Sequence, residues 1–379
     1  MQENYQARTL GIIGGGQLGR MVIQCAINYN VDIHILDPDA NAPCKDIAQK
    51  FVVGKLTDYD SVYNFGKDCD VITIEIEHVN TEALAQLEKE GKKVFPQPHI
   101  IQMIQDKRKQ KQFYLDNDIP TAEFVLTDSK ADVQSHVDFL PAVNKLGTEG
   151  YDGRGVQVIR DESAMELAFE APSLLEKLVD FEKEIAVIVA RNEQGEMKTF
   201  PPVECVFHPV ANLVEFLFSP AEIDPSISNK ALEVAQSVIE KLGMVGLLAV
   251  EMFVTKEGEI LVNEIAPRPH NSGHHTIEAN FTSQFEQHLR AVMDMPLGDT
   301  GIRSAAAMVN LLGEDGYTGD TIVEGLHKAM AEKGVYVHLY GKKTTKPFRK
   351  MGHVTVLEED LEELKAKAKK LKDSIKIKA

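Results

Sequence analysis

At 379 residues the chain is too long for one compact core, which implies two or three domains. Its 41 basic and 58 acidic residues give a formal charge of −17, which argues against a general nucleic-acid surface but leaves room for a local anion pocket. No stretch approaches the roughly 18 unbroken apolar residues of a membrane span, no signal-peptide core follows the polar N-terminus, and four scattered cysteines specify neither a zinc site nor a disulfide framework, so a cytoplasmic protein is expected.

Over residues 1–98 buried strands alternate with helices: TLGIIGG, a helix over 17–30, VDIHILD, FVVG, a helix over 58–67, DVITIEIE, a helix over 81–90, and KVF. That alternation predicts a parallel α/β sheet with helices on both faces. Gly14, Gly16 and Gly19 satisfy GxGxxG after the first strand, and Asp37 closes the second, so an NAD-dependent dehydrogenase is one reading. Physically the glycines offer backbone N–H groups at a helix N-terminus to any phosphate. Phe95-Pro96-Gln97-Pro98 cannot continue a regular element and marks the first boundary.

Residues 99–298 read as α+β, beginning with a helix over 99–117 that carries Lys107, Lys109 and Lys111. Those lysines suit either phosphates or a solvated face. Lys145 precedes Thr148-Glu149-Gly150-Tyr151-Asp152-Gly153-Arg154-Gly155, whose alternating glycines describe a flap able to fold over polyphosphate. Strands then cluster before a helix over 229–242 and a hairpin, in which two apolar strands each carry one acid, Glu251 and Glu264. A two-residue turn at Glu257-Gly258, or a four-residue one, sets these acids directly opposite; a three-residue turn would slip the pair by one. Facing carboxylates repel unless neutralised, and Mg²⁺ on substrate phosphates is the natural neutraliser. After the hairpin, Arg268, His270 and Asn271 lie in APRPHNSGHH, where the chain is irregular and the side chains suit an anion pocket.

Over 299–379 the runs AAAMVNLLG, VYVHLYG and HVTVLEE predict a small strand-and-helix domain closed by an amphipathic, lysine-rich helix from about Asp360. Lys342, Lys343, Lys346, Arg349 and Lys350 concentrate positive charge in one loop of an acidic protein, as a phosphate-bearing substrate would require or as a solvated turn would allow.

In chain order GGGQLGRM, TIEIEHV, GYDGRG, EKLVDFEKE, VNEIAPRPHNSGH and YGK…RKMGH resemble the ATP-grasp superfamily, and within it the 5-(carboxyamino)imidazole ribonucleotide synthetase family, over nearly the full length. The resemblance implies an ATP-grasp fold with an N-terminal Rossmann-like pre-ATP-grasp domain (1–98), a nucleotide clamp (99–298) and a small C-terminal domain completing the substrate site (299–379), commonly as a homodimer. It implies ATP-dependent carboxylation of 5-aminoimidazole ribonucleotide by bicarbonate through carboxyphosphate, a step of purine biosynthesis, with ATP and Mg²⁺.

By the same resemblance Glu176, Lys177, Leu178 and Val179 line the adenine through the backbone and Glu184 holds the ribose. Lys107, Lys145, Gly150, Tyr151, Asp152, Gly153, Arg154, Gly155 and His208 attend ATP and its phosphates, and Glu251 and Glu264, beside Asn263, hold Mg²⁺. Gly16, Gln17, Leu18, Glu75, Tyr151, Asp152, Arg154, Lys342 and Arg349 surround the ribonucleotide; Arg268, His270 and Asn271 surround the bicarbonate-derived group. The family usually has Arg where Lys107 stands, Gln where Val156 stands, and RPGRK where this chain has Lys346-Pro347-Phe348-Arg349-Lys350. A formate-dependent glycinamide ribonucleotide transformylase or a biotin-carboxylase-like enzyme shares the clamp; a non-catalytic nucleotide binder is the remaining class.

Overall fold

Five short apolar runs build the N-terminal sheet: β1 (Thr9–Ile13), β2 (Asp32–Asp37), β3 (Lys50–Val53), β4 (Val71–Ile74) and β5 (Lys93–Val94). All pair in parallel, in the order β3-β2-β1-β4-β5. Chain order reverses on either side of β1, so the glycine turn after β1 opens at the crevice where such sheets bind ligands. The computed structural model of the chain describes residues 8–148, 150, 155–207 and 213–379. From the glycine turn runs α1 (Gln17–Asn28), which buries Leu18, Met21, Val22, Ile23 and Ala26. These pack in one core with Phe285, Leu289 and Val292 of the helix Gln284–Val292, so the N-terminal sheet is joined to the middle of the chain by apolar burial.

The helix expected over 99–117 is two helices, Pro98–Ile104 and Lys107–Asp116. Asp106 takes an extended conformation and its carboxylate accepts from the Arg108 N–H, starting a new helix. The break sets Lys107 at a helix start, its own N–H donating to the Gly147 carbonyl at 2.7 Å.

Two antiparallel sheets follow. The smaller has the order Phe124–Thr127, Ser173–Lys177, Ala142–Leu146, Val156–Ile159. The larger begins with the hairpin Ile260–Ala266 and Gly246–Thr255, then passes through Phe181–Arg191, Val203–Phe207 and Val214–Ser219. It continues without interruption into Ala306–Leu312, Lys350–Leu357 and Val335–Leu339. The closing helix Leu361–Ser374, capped by Asp360, buries Leu364, Ala368 and Leu371 and turns its lysines outward, as its pattern predicts.

The acid hairpin reaches the expected pairing by an unexpected route. Its turn has three residues, with the Thr255 N–H donating to the Glu259 carbonyl and Gly258 at φ +78°. Val254, Phe253 and Met252 therefore pair with Ile260, Leu261 and Val262, one step short of the two-residue register. A bulge at Asn263 then restores the missing step, and Glu251 faces Glu264.

Candidate active site

The bulge places two successive polar side chains toward the cleft. Asn263 Oδ1 accepts from Lys145 Nζ at 2.8 Å, and Glu264 pairs with Lys107. Lys145 also lies 3.2 Å from Glu176, and Lys111 3.1 Å from the same carboxylate. About 200 Å³ of open space is lined by Lys107, Gln110, Lys111, Lys145, Leu174, Asn263 and Glu264, between the smaller sheet and the hairpin.

Electrostatics in this cleft are set by burial and opposed charge. The Lys107 ammonium holds Glu264 well below the usual carboxylate range. Burial, reinforced by the charge on Glu264, pushes Glu251 well above it. Burial works against an ionised Glu176, yet Lys145 and Lys111 outweigh it and lower its pKa. Lys111 is pulled down to about 8, chiefly by burial. Glu184 is pushed up to about 7 by burial, with Lys145 opposing. Two facing carboxylates, one driven toward its neutral form, are a set of hard oxygen donors that fits Mg²⁺. Among the described residues no group of three or more His, Cys, Asp or Glu could hold a metal, so substrate oxygens and water would complete the sphere.

Beside the hairpin, His270 Nε2 lies 3.5 Å from Glu251, and its Nδ1 lies 2.9 Å from Ser272 Oγ. Gln284 clamps the His270 backbone from both sides, accepting from its N–H and donating to its carbonyl. Asn271 exchanges two amide hydrogen bonds with Asn310, at 3.1 and 2.8 Å. The Arg268 guanidinium lies against Glu77 and donates from Nη1 to the Pro269 carbonyl. His274 and His275 are fully buried and held neutral, chiefly by burial.

The glycine turn differs from its dinucleotide reading. Gly16 and Leu18 N–H groups donate to Glu75 at 2.5 and 3.0 Å, and the Gly15 N–H donates to Asp37 at 2.7 Å. A Cβ on Gly16 would stand 2.5 Å from the Glu75 carboxylate, so a side chain there would have to displace that carboxylate from the amides it accepts from. The amides a pyrophosphate would use are taken by this chain's own acids, which removes the ground for the dehydrogenase. Gln17 opens α1 beside them.

In the C-terminal loop Lys342 donates to the Lys350 carbonyl at 2.7 Å and lies over the Tyr340 ring. Arg349 folds onto Thr344, donating to its carbonyl at 2.6 Å. Lys343 reaches Asn41 at 3.0 Å, which ties this loop to the turn between β2 and β3. At the end of strand Ser173–Lys177 the Lys177 and Leu178 N–H groups donate to the Glu123 and Pro141 carbonyls. Gly155 sits at φ +73° and its carbonyl accepts from Leu146, while Gly150 is half-buried. Tyr151, Asp152, Gly153, Arg154 and His208 lie outside the described residues.

Four contributors carry no role assigned from the sequence, although Glu77 lies within the TIEIEHV motif. Lys111 belongs to the cleft, and its spacing of four from Lys107 was the available signal. Gln110 accepts from the Tyr114 hydroxyl at the cleft wall. Glu77 stands two residues after Glu75, and Asn310 is a polar residue in an otherwise apolar run, a pattern that points to a buried hydrogen bond.

Residues 112–285 match the ATP-grasp domain, 7–105 the ribonucleotide synthetase preATP-grasp domain, and 306–367 the phosphoribosylaminoimidazole carboxylase C-terminal domain. The crystal structure of N5-carboxyaminoimidazole ribonucleotide synthetase from Thermotoga maritima superposes with a TM-score of 0.90 at 44% identity, covering 98% of this chain and 99% of that one. The Aspergillus clavatus N5-carboxyaminoimidazole synthase, solved with ADP and 5-aminoimidazole ribonucleotide, gives 0.88 at 32% identity, covering 97% and 98%. Chloroplastic phosphoribosylaminoimidazole carboxylase of Vigna aconitifolia is 40% identical over 94% of this chain, which spans 65% of that protein's length. Matched from end to end by solved structures of one kind, the chain belongs to the N5-carboxyaminoimidazole ribonucleotide synthetase family of ATP-grasp ligases.

Proposed function

We propose that the chain uses ATP to carboxylate the exocyclic amine of 5-aminoimidazole ribonucleotide with bicarbonate. One observation carries this: Glu251 and Glu264 face each other beneath Lys107, Lys111 and Lys145, and the Arg268–Asn271 loop adjoins them. In this reading residues 1–98 seat the ribonucleotide, 99–298 clamp the nucleotide and 299–379 complete the substrate site.

The adenine would lie along 176–179, where Val179 keeps an N–H with no partner among the described residues, and Glu184 would meet the ribose. Lys107 and Lys145 would neutralise the phosphates; Lys111 backs them through Glu176. Glu251 and Glu264 would hold Mg²⁺, which when bound supplies positive charge to the phosphate oxygens. Arg268, His270 and Asn271 would hold bicarbonate so that its oxygen attacks the γ-phosphorus as the bond to ADP breaks. The amine nitrogen of the ribonucleotide, seated by the Gly16–Leu18 turn and Glu75, then attacks the carboxyl carbon, phosphate leaves, and the amine sheds a proton. Because the activated carboxyl group decomposes in water, its exclusion from the cleft is part of the chemistry.

ADP release should require bicarbonate and 5-aminoimidazole ribonucleotide together; release that ignores the ribonucleotide removes the substrate assignment. Glu264→Gln should cut turnover by at least about a hundredfold while the circular dichroism spectrum stays native, and retained turnover would remove these carboxylates from metal binding.

A further inference from the structure

Glu77 has no part in the roles above, yet it stands where three of them meet. Its carboxylate Oε1 lies 2.9 Å from Arg268 Nε, as an ion pair rather than an aligned hydrogen bond, with both side chains largely buried. Arg268 spends Nη1 on the Pro269 carbonyl, which leaves Nη2 without a partner among the described residues. A guanidinium held from its Nε side presents its outer nitrogens, the edge that grips a planar oxyanion.

The backbone of Glu77 is held as firmly as its side chain. Gln105 Nε2 donates to the Glu77 and Val79 carbonyls at 2.8 and 2.9 Å, and the Val79 N–H donates to Glu77 at 2.9 Å. Two residues before it, Glu75 is fastened to the Gly16 and Leu18 amides; two residues after Gln105 comes Lys107 on Glu264. Residues 75–79, bound to Arg268 by the Glu77 carboxylate and to residues 105–107 by the Gln105 side chain, thus link the ribonucleotide seat, Arg268 and the phosphate lysine.

We propose that Glu77 is a positioning residue: by anchoring Arg268 it fixes the bicarbonate-derived group at a set distance from the amine seated by Glu75. This rests on the carboxylation reading. The charge it contributes matters less than the geometry, since a guanidinium swung away from its anchor would still be positive but would hold the anion out of line with the amine.

The test measures steady-state kinetics of purified Glu77→Gln with each of the three substrates varied, alongside the melting temperature. The KM for bicarbonate should rise by roughly ten- to a hundredfold, with the KM values for ATP and the ribonucleotide within about twofold of the parent protein. More than one ADP should be released per carboxylated product, and Glu77→Asp should recover part of the loss. In an Arg268→Lys background the further change Glu77→Gln should add less than about twofold, because the anchored group is already gone. An unchanged bicarbonate KM, or equal rises in all three, overturns the inference. A parent protein that makes no ribonucleotide-dependent ADP overturns the carboxylation reading itself.

Discussion

Glu251 and Glu264 share their charge unequally, because Lys107 keeps Glu264 ionised while burial and that neighbouring charge drive Glu251 toward protonation. A carboxyl group whose folded pKa lies above its unfolded value retains a proton that the unfolded chain has released. Stability from this group therefore falls as pH rises from the ordinary carboxylate range through its folded value, near 8. A divalent cation competes with that proton. Adding Mg²⁺ should accordingly raise the melting temperature more at about pH 8 than at about pH 6, and equal gains would place the cation elsewhere. The pairing of these acids was legible because each interrupts an apolar run. Lys111 was not, since position along a helix does not say which face meets a second sheet: Lys107 and Lys111 turn inward and Lys109 outward. The electrostatic neighbours of Arg268 were equally hidden, because Glu77 lies nearly two hundred positions earlier in the chain.

The hairpin shows how one element can reach an expected end by two compensating irregularities. Sequence composition marks a turn at Lys256–Glu259 but does not choose between a two- and a three-residue loop, which depends on whether Gly258 enters the left-handed region. It enters at φ +78°, and a Cβ there would make only an ordinary 3.4 Å contact with Ile227. The cost of Gly258→Ala is thus conformational, about 1–2 kcal/mol, to be read as a lower denaturation midpoint. Turnover should persist, since alanine strains the three-residue turn without changing its length, so turn and bulge together still pair the acids; loss of turnover without loss of stability would contradict that. The bulge had no sequence signal, because Asn263 fits an ordinary strand position until its bond to Lys145 is known. Strand Val214–Ser219 and helix Gln284–Val292 were also missed. The strand, VEFLFS, is interrupted by Glu215 and has no regular alternation to declare it, and the helix is crowded with glutamine and histidine, seven of its nine residues being buried, some through hydrogen bonds.

At the scale of the molecule, parallel N-terminal and antiparallel central layers follow the pattern of strands and helices in the sequence, whereas the way they join does not. All four cysteines are free, and burial pushes Cys25 to about 11, Cys69 to about 12 and the other two upward as well. A thiolate-specific reagent at about pH 8 should label the native protein slowly and reach four thiols per chain only after denaturation. Rapid labelling of Cys44 or Cys205 in the native state would mean that the layers open readily. No helix among the described residues is long and apolar enough to cross a membrane.

The unbroken ladder from Val214–Ser219 into Ala306–Leu312 limits how the protein can be divided. Phe216 and Phe218 pack against the cluster formed by Ala307, Val309, Val354 and the closing helix. A fragment ending near residue 298 would carry a bare strand edge flanked by two uncovered aromatic rings, the combination that recruits a second chain. Such a fragment should be recovered as aggregates, and supplying residues 299–379 as a separate polypeptide should return it to solution by restoring the missing neighbour.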